Sequence, residues 1–153
     1  MSISNFNLKD AIELADDEIL LVKRSWRMLQ GIDPAIIGET FYSKLFSDNP
    51  AVRKMFPSEM RDQYKKLVDM ISIIVARLDR IHELADDIAR TAAHHHQYGV
   101  RTNHYKLVGD ALLWTLEQGL GNSWTPAVKD AWAKCYISIA NLMSKAAGQE
   151  KST

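Results

Sequence analysis

Three consecutive histidines, His94, His95 and His96, are the residues of this 153-residue chain whose types and spacing point most directly to chemistry. They close an amphipathic helical run just before Gln97-Tyr98-Gly99-Val100. Counting back from His95, Ala92 and Thr91 lie three and four residues away, Ile88 seven and Leu84 eleven, positions that stack along one side of a helix. His95 therefore points where the apolar residues point. His94 and His96 are each rotated from it by roughly 100°, so the three rings do not converge on one small ion, and a compact triple-histidine metal site is disfavoured. A single imidazole on an apolar face suits instead one buried ligand for a haem iron.

The rest of the chain must supply the walls around such a ligand, and it reads as helix almost throughout, with four prolines as interruptions. Residues 16–30 put Ile19, Val22, Trp26 and Leu29 on one stripe, with Asp16 and Asp17 at the positive end of the helix. Gly31-Ile32-Asp33-Pro34 breaks it, and a second helix over about 35–46 ends at Ser47-Asp48-Asn49. Asp48 or Asn49 is placed to cap a short third helix with Pro50 in its first turn. After Phe56-Pro57-Ser58, one long helix is expected from Ser58 to about Ile81, with Met60, Gln63, Leu67, Ile71, Ile74 and Leu78 along one stripe. Beyond the histidines a helix over 103–118 carries Tyr105, Val108, Leu112 and Leu116. Gly119 to Ser123 then turns into Thr125-Pro126, an N-cap followed by proline at the first helical position. A last helix over about 126–146 buries Trp132, Tyr136, Ile139 and Met143.

Length and charge exclude several functions. The chain is of one-domain size, enough to bury about two thirds of its unfolded surface and to enclose a small cofactor. Nineteen basic residues balance nineteen acidic ones, which removes the usual signature of a nucleic-acid partner. The longest apolar run, Met70 to Ala76, is broken by Ser72 and far too short to cross a bilayer. The opening Met1-Ser-Ile-Ser-Asn-Phe lacks the features of a secretion signal, and the lone Cys135 allows no internal disulfide, so a cytoplasmic protein is expected. Residues 1–15 read as an N-terminal extension, 16–147 as the domain and 148–153 as a tail.

Several separated motifs agree in order with one family. Val22-Lys23-Arg24-Ser25-Trp26, Phe41-Tyr42 with Leu45-Phe46, Pro50 and Phe56, then His95 followed ten residues later by Tyr105 with Val108-Gly109, strongly resemble the globins. The likeness is greatest to single-domain bacterial globins of the Hell's Gate type and to the haem domain of flavohaemoglobins. It implies an all-α, three-over-three helical sandwich around a pocket for haem b. His95 then matches the proximal iron ligand, its N–H free to donate to a helical carbonyl such as that of Thr91. Phe56 matches the ring that packs on the porphyrin, although by itself it also reads as an ordinary core aromatic. Tyr98 and Val100 match the proximal pocket wall, and Tyr105 the tyrosine of the proximal network.

Across the haem, the resemblance places Tyr42, Gln63 and Leu67 in the distal pocket. A phenol and an amide would both donate to the partly negative end of a bound gas, each charge-assisted bond contributing about 1.5–3 kcal/mol. Without the family pattern Tyr42 reads as core and Gln63 as solvated. An amide ligates iron poorly, so a five-coordinate iron is expected, with Tyr42 a ligand for ferric iron only if the pocket collapses. Lys66 and Arg101 are candidates to meet the haem propionates, or else simply solvated side chains. His82, His94, His96 and His104 read as solvated, and Cys135 as a packing residue.

The function so implied is the binding of dioxygen, nitric oxide, carbon monoxide and similar ligands by a monomer or weak homodimer. Nitric oxide dioxygenase activity would follow if a separate reductase supplied electrons, since the flavohaemoglobins fuse theirs. Their proximal glutamate matches Ala147 here, with Glu150 three residues on, which weakens the push toward oxygen activation. The alternative is a gas or redox sensor acting through a partner protein that binds the 1–15 extension.

Overall fold

The computed structural model describes residues 14–97, 99 and 101–151. These form six α-helices: α1 (Asp16–Leu29), α2 (Pro34–Asp48), α3 (Arg61–Ala76), α4 (Ala85–Gln97), α5 (Thr102–Leu120) and α6 (Pro126–Lys151). Short 3-10 turns occupy Pro50–Met55, Leu78–Leu84 and Gly121–Ser123, and no strand is present among the described residues. Helices α1, α3 and α4 lie over α2, α5 and α6: α1 packs on α6, α3 on α2 and α4 on α6, while α2 with α5 and α5 with α6 join within the second layer. This is the expected three-over-three helical sandwich.

Local chemistry accounts for several helix ends. Asp33 precedes Pro34, and its carboxylate accepts from the Ala35 N–H at 2.9 Å, starting α2. The Thr125 hydroxyl accepts from the Val128 N–H at 3.2 Å, starting α6. Asn49 does not cap the Pro50–Met55 turn with its side chain. Its amide turns back and donates to the Leu45 carbonyl at 3.3 Å, satisfying the end of α2 instead.

The long helix expected over 58–81 is shorter at both ends. It begins at Arg61 and stops at Ala76, where Lys23 of α1 reaches across and donates to the Ala76 carbonyl at 3.0 Å while meeting Asp79 at 3.3 Å. That cross-helix cap takes over an orphan carbonyl, and the chain continues as a 3-10 turn with Arg80 outside helical geometry. Within α3 the fully buried line is Val68, Ile71 and Val75, leaving Gln63, Leu67 and Ile74 half-buried at its edge. Helix α5 runs two residues past the expected end because Gly119 serves a close contact, not a turn. A Cβ there would stand 2.7 Å from Leu29 Cδ2, and the chain reverses at Gly121, whose φ is +54°. Helix α6 extends beyond 146 to Lys151.

One aromatic pair holds the first layer to the second. Trp26 and Trp132 meet edge to face at 6.0 Å between centroids. The Trp132 indole donates to Ser25 Oγ at 2.8 Å and the Trp26 indole to Ser72 Oγ at 3.1 Å, so both buried N–H groups are satisfied. The buried side chains fall into two clusters. One gathers α1, α2, α3, α5 and the first half of α6; the other is Leu84, Ile88 and Ala92 of the α4 side with Ile139, Leu142 and Met143 of α6.

Candidate functional site

The break between those two clusters marks the site. Helices α3 and α4 are each packed onto the body, yet among the described residues they do not form a packed helix pair with one another. Half-buried apolar residues border the two clusters: Leu67 of α3 and Phe56 before it, packed against the main core, and Ile74 of α3 and Tyr105 of α5, packed against the α4–α6 cluster.

On one wall, Tyr42 is buried in α2 inside a ring of aromatics. Its ring lies 5.3 Å from Phe56 and 4.9 Å from Phe41, both edge to face, 5.7 Å from Phe46 and 5.8 Å from Tyr64. Burial, and secondarily the neighbouring Tyr64, pushes its phenol up to about 12, so Tyr42 is a protonated hydrogen-bond donor at neutral pH. The ring can sit there because α2 and α3 approach closely at Gly38. A Cβ at that position would fall 2.4 Å from Tyr64 Cβ and 2.5 Å from its Cα. Gln63 is half-buried on α3 and Leu67 one turn further on. Leu67 also lines an apolar hollow of about 230 Å³ shared with Phe41, Ile71 and Leu112.

On the other wall, His95 stands half-buried in the last turn of α4, above Ala92, Ile88 and Leu84, all three buried. Burial, and secondarily His94, lowers the basicity of its imidazole and favours the neutral form, the form whose nitrogen lone pair can ligate a metal. Among the described residues the His95 ring has no hydrogen-bond partner, so the expected bond to the Thr91 carbonyl is not made; the Thr91 hydroxyl itself donates to the Asp87 carbonyl at 2.9 Å. His94 is exposed and His96 half-buried. Gly99, with φ +89°, turns the chain away after α4, and its position faces Met55 Cε at 4.0 Å. Arg101 is exposed, its guanidinium donating to the His96 carbonyl at 3.2 Å. Lys66 is exposed on α3. Tyr98 and Val100 lie outside the described residues.

Tyr105 is held from α6: the Tyr136 hydroxyl donates to the Tyr105 carbonyl at 2.5 Å. Gly109 makes room for that ring, since a Cβ there would meet Tyr136 Cε2 at 2.7 Å. Sequence reasoning placed Tyr136 only in the core. Gly109, a glycine inside a helical run, was the available signal of a close approach. Phe46 and Tyr64 were likewise not singled out for the site, and neither was Arg53. The guanidinium of Arg53 lies 5.2 Å from the Phe46 ring centre and donates to three carbonyls at the corner before α3.

The donor set fits haem better than it fits a bare ion. Among the described residues no three of His, Cys, Asp and Glu come together to enclose a metal. One half-buried imidazole on α4, with a buried phenol on α2, a half-buried amide on α3 and apolar residues around them, suits an iron whose remaining ligands come from a flat macrocycle. No helix of the described residues is long and apolar enough to cross a membrane.

Comparison with known proteins points to the same fold. The chain is 29% identical to neuroglobin-1 of Oncorhynchus mykiss over 147 residues, which covers 87% of this chain and 92% of that one. It is 26% identical to a flavohaemoprotein of Vibrio cholerae over 132 residues, 84% of this chain but 33% of the flavohaemoprotein. An engineered carbene transferase derived from a Rhodothermus marinus protein assigned as a nitric oxide dioxygenase superposes with a TM-score of 0.82 at 28% identity, covering 91% of this chain and 96% of that structure. The globin family model matches residues 39–143, a stretch that holds Tyr42, Phe56, Gln63, Leu67, His95 and Tyr105 and makes up more than half of the chain. With a helical sandwich of three over three and the globin model matching more than half of its length, the chain belongs to the globin family.

Proposed function

We propose that the protein binds dioxygen and other diatomic gases at a five-coordinate haem b carried by His95, and that it oxidises nitric oxide when a separate reductase supplies electrons. The observation that carries this reading is the division of the buried core into two clusters, with a half-buried imidazole of lowered basicity on α4, the helix of one, and a buried, protonated phenol on α2, in the other. When bound, the haem supplies an iron that takes a diatomic gas and exchanges an electron with it. His95 would hold that iron by one nitrogen, and Phe56 and Leu67 would press on the macrocycle and exclude water.

On the opposite side, Tyr42 and Gln63 are the donors for the partly negative end of the gas. The Tyr42 hydroxyl is protonated at neutral pH, as a phenol is, and burial raises its pKa further, so it is available as a donor. Removing one charge-assisted donor of about 1.5–3 kcal/mol corresponds to roughly a ten- to hundredfold faster release of dioxygen.

The test is stopped-flow mixing of the oxygenated protein with nitric oxide, followed by turnover with a flavin reductase. Fast stoichiometric nitrate that becomes catalytic supports the dioxygenase; stable oxygen binding without re-reduction supports a carrier or sensor. Tyr42→Phe should release dioxygen faster by the factor above, and an unchanged rate sinks the assigned pocket. Protein purified from cells without a Soret band sinks the haem itself.

A further inference from the structure

We infer that Arg53 is a positioning residue for the gas-binding side of the site, holding Phe56 and Tyr42 in place through the corner that precedes α3. The inference rests on the proposed function, because it needs those two rings to face the bound ligand. Arg53 sits half-buried in the Pro50–Met55 turn. Its Nη1 donates to the Phe56 carbonyl at 3.2 Å and to the Pro57 carbonyl at 2.9 Å, and its Nη2 donates to the Ser58 carbonyl at 3.2 Å.

Carbonyls of consecutive residues in an extended chain point to alternate sides, so the convergence of three on one guanidinium means that the corner is curled around that side chain. Among the described residues these three carbonyls accept no backbone N–H. The planar fork of arginine supplies several charged donors in fixed directions, which a lysine ammonium does not.

The same group also grips the aromatic cluster from its other end. The guanidinium lies 5.2 Å from the centre of the Phe46 ring, within the range of a cation–π contact. Phe46 is 5.4 Å from Phe56 and 5.7 Å from Tyr42, and Phe56 is 5.3 Å from Tyr42, a closed triangle of rings. Arg53 thus fixes Phe56 twice, by its own carbonyl and by its ring neighbour, and the backbone repeats the clamp with the Phe56 N–H donating to the Arg53 carbonyl at 3.2 Å. Loosening it lets the triangle shift, and with it the direction of the Tyr42 hydroxyl.

The experiment compares the haem-loaded wild type with Arg53→Lys, Tyr42→Phe and the double variant, measuring dioxygen dissociation and the amide hydrogen exchange of Phe56, Ser58, Glu59 and Met60. Arg53→Lys should raise the dissociation rate about three- to tenfold, as expected for a weakened hydrogen bond, and should speed exchange at the corner while exchange in α6 is unchanged. In the Tyr42→Phe background its effect on dissociation should vanish. An unchanged rate in Arg53→Lys, or the same increase in both backgrounds, overturns the inference. If Tyr42→Phe alone leaves dissociation unaltered, the functional reading fails first; corner exchange then still reports on the clamp, and unaltered exchange overturns that too. Phe46→Leu, which removes the ring beneath the guanidinium, gives a second variant and should move both readouts in the same direction should Arg53→Lys not fold.

Discussion

Gly38→Ala is expected to be unusually damaging for a single added methyl group. The new Cβ would stand 2.4 Å from Tyr64 Cβ, 2.5 Å from Tyr64 Cα and 2.9 Å from the Tyr64 carbonyl oxygen. Carbon atoms in contact prefer about 3.5–4.0 Å, so α2 and α3 must move apart by about 1 Å at their crossing. Two of the three clashing atoms belong to the helix backbone, which has no rotamer to escape into. Overpacking of this kind costs about 1–3 kcal/mol or somewhat more, and the gain in helix propensity from glycine to alanine returns about 1 kcal/mol. With backbone contacts below 3 Å the cost lies at the upper end, about 3 kcal/mol, so a net loss of about 2 kcal/mol follows, corresponding to a fall in Tm of about 4–8 °C for a chain of this size. The assay is urea unfolding of both proteins with the slope held constant, and Gly31→Ala is the matched control because a Cβ there meets nothing within 4 Å. Since α2 carries Tyr42 and α3 carries Gln63, Gly38→Ala should also release dioxygen at an altered rate. Equal stabilities for the two alanine variants would refute the reasoning.

Cys135 is buried in α6, and burial pushes its thiol up to about 12, so in the native protein it should react with an aromatic disulfide reagent only at the rate of unfolding and at once in denaturant; rapid labelling of the native state would contradict its placement. Tyr42 supplies a pH test. Its phenol ionises near 10 when unfolded and at about 12 when folded, so its contribution is complete below pH 10 and is lost as pH rises toward 12. The corresponding loss is about 2–3 kcal/mol, and Tyr42→Phe should flatten that part of the alkaline limb in pH-dependent urea titrations.

Particular residues show how far local pattern carries. The stripe Leu84, Ile88, Ala92 placed His95 on the apolar side of its helix, and the structure buries all three beneath it. Pro34 and Thr125-Pro126 marked helix starts that are found where expected. The stripe on α3 was less faithful, because periodicity gives the direction of a side chain and not whether a neighbour covers it: Val68 and Val75 are buried, while Gln63, Leu67 and Ile74 border the gap. Arg53 carried no signal at all. An arginine in a short turn looks solvated until the corner curls around it.

The amino-acid order alone therefore determined the helical class, the main breaks and which histidine faces inward, since these depend on a 3.6-residue period, on proline and on side-chain caps within a few residues. The end of α3 at Ala76, the close crossing at Gly38, the Tyr136 grip on Tyr105 and the division of the core into two clusters were decided by the tertiary structure. Each joins groups far apart in the chain, through contacts that form only when helices pack.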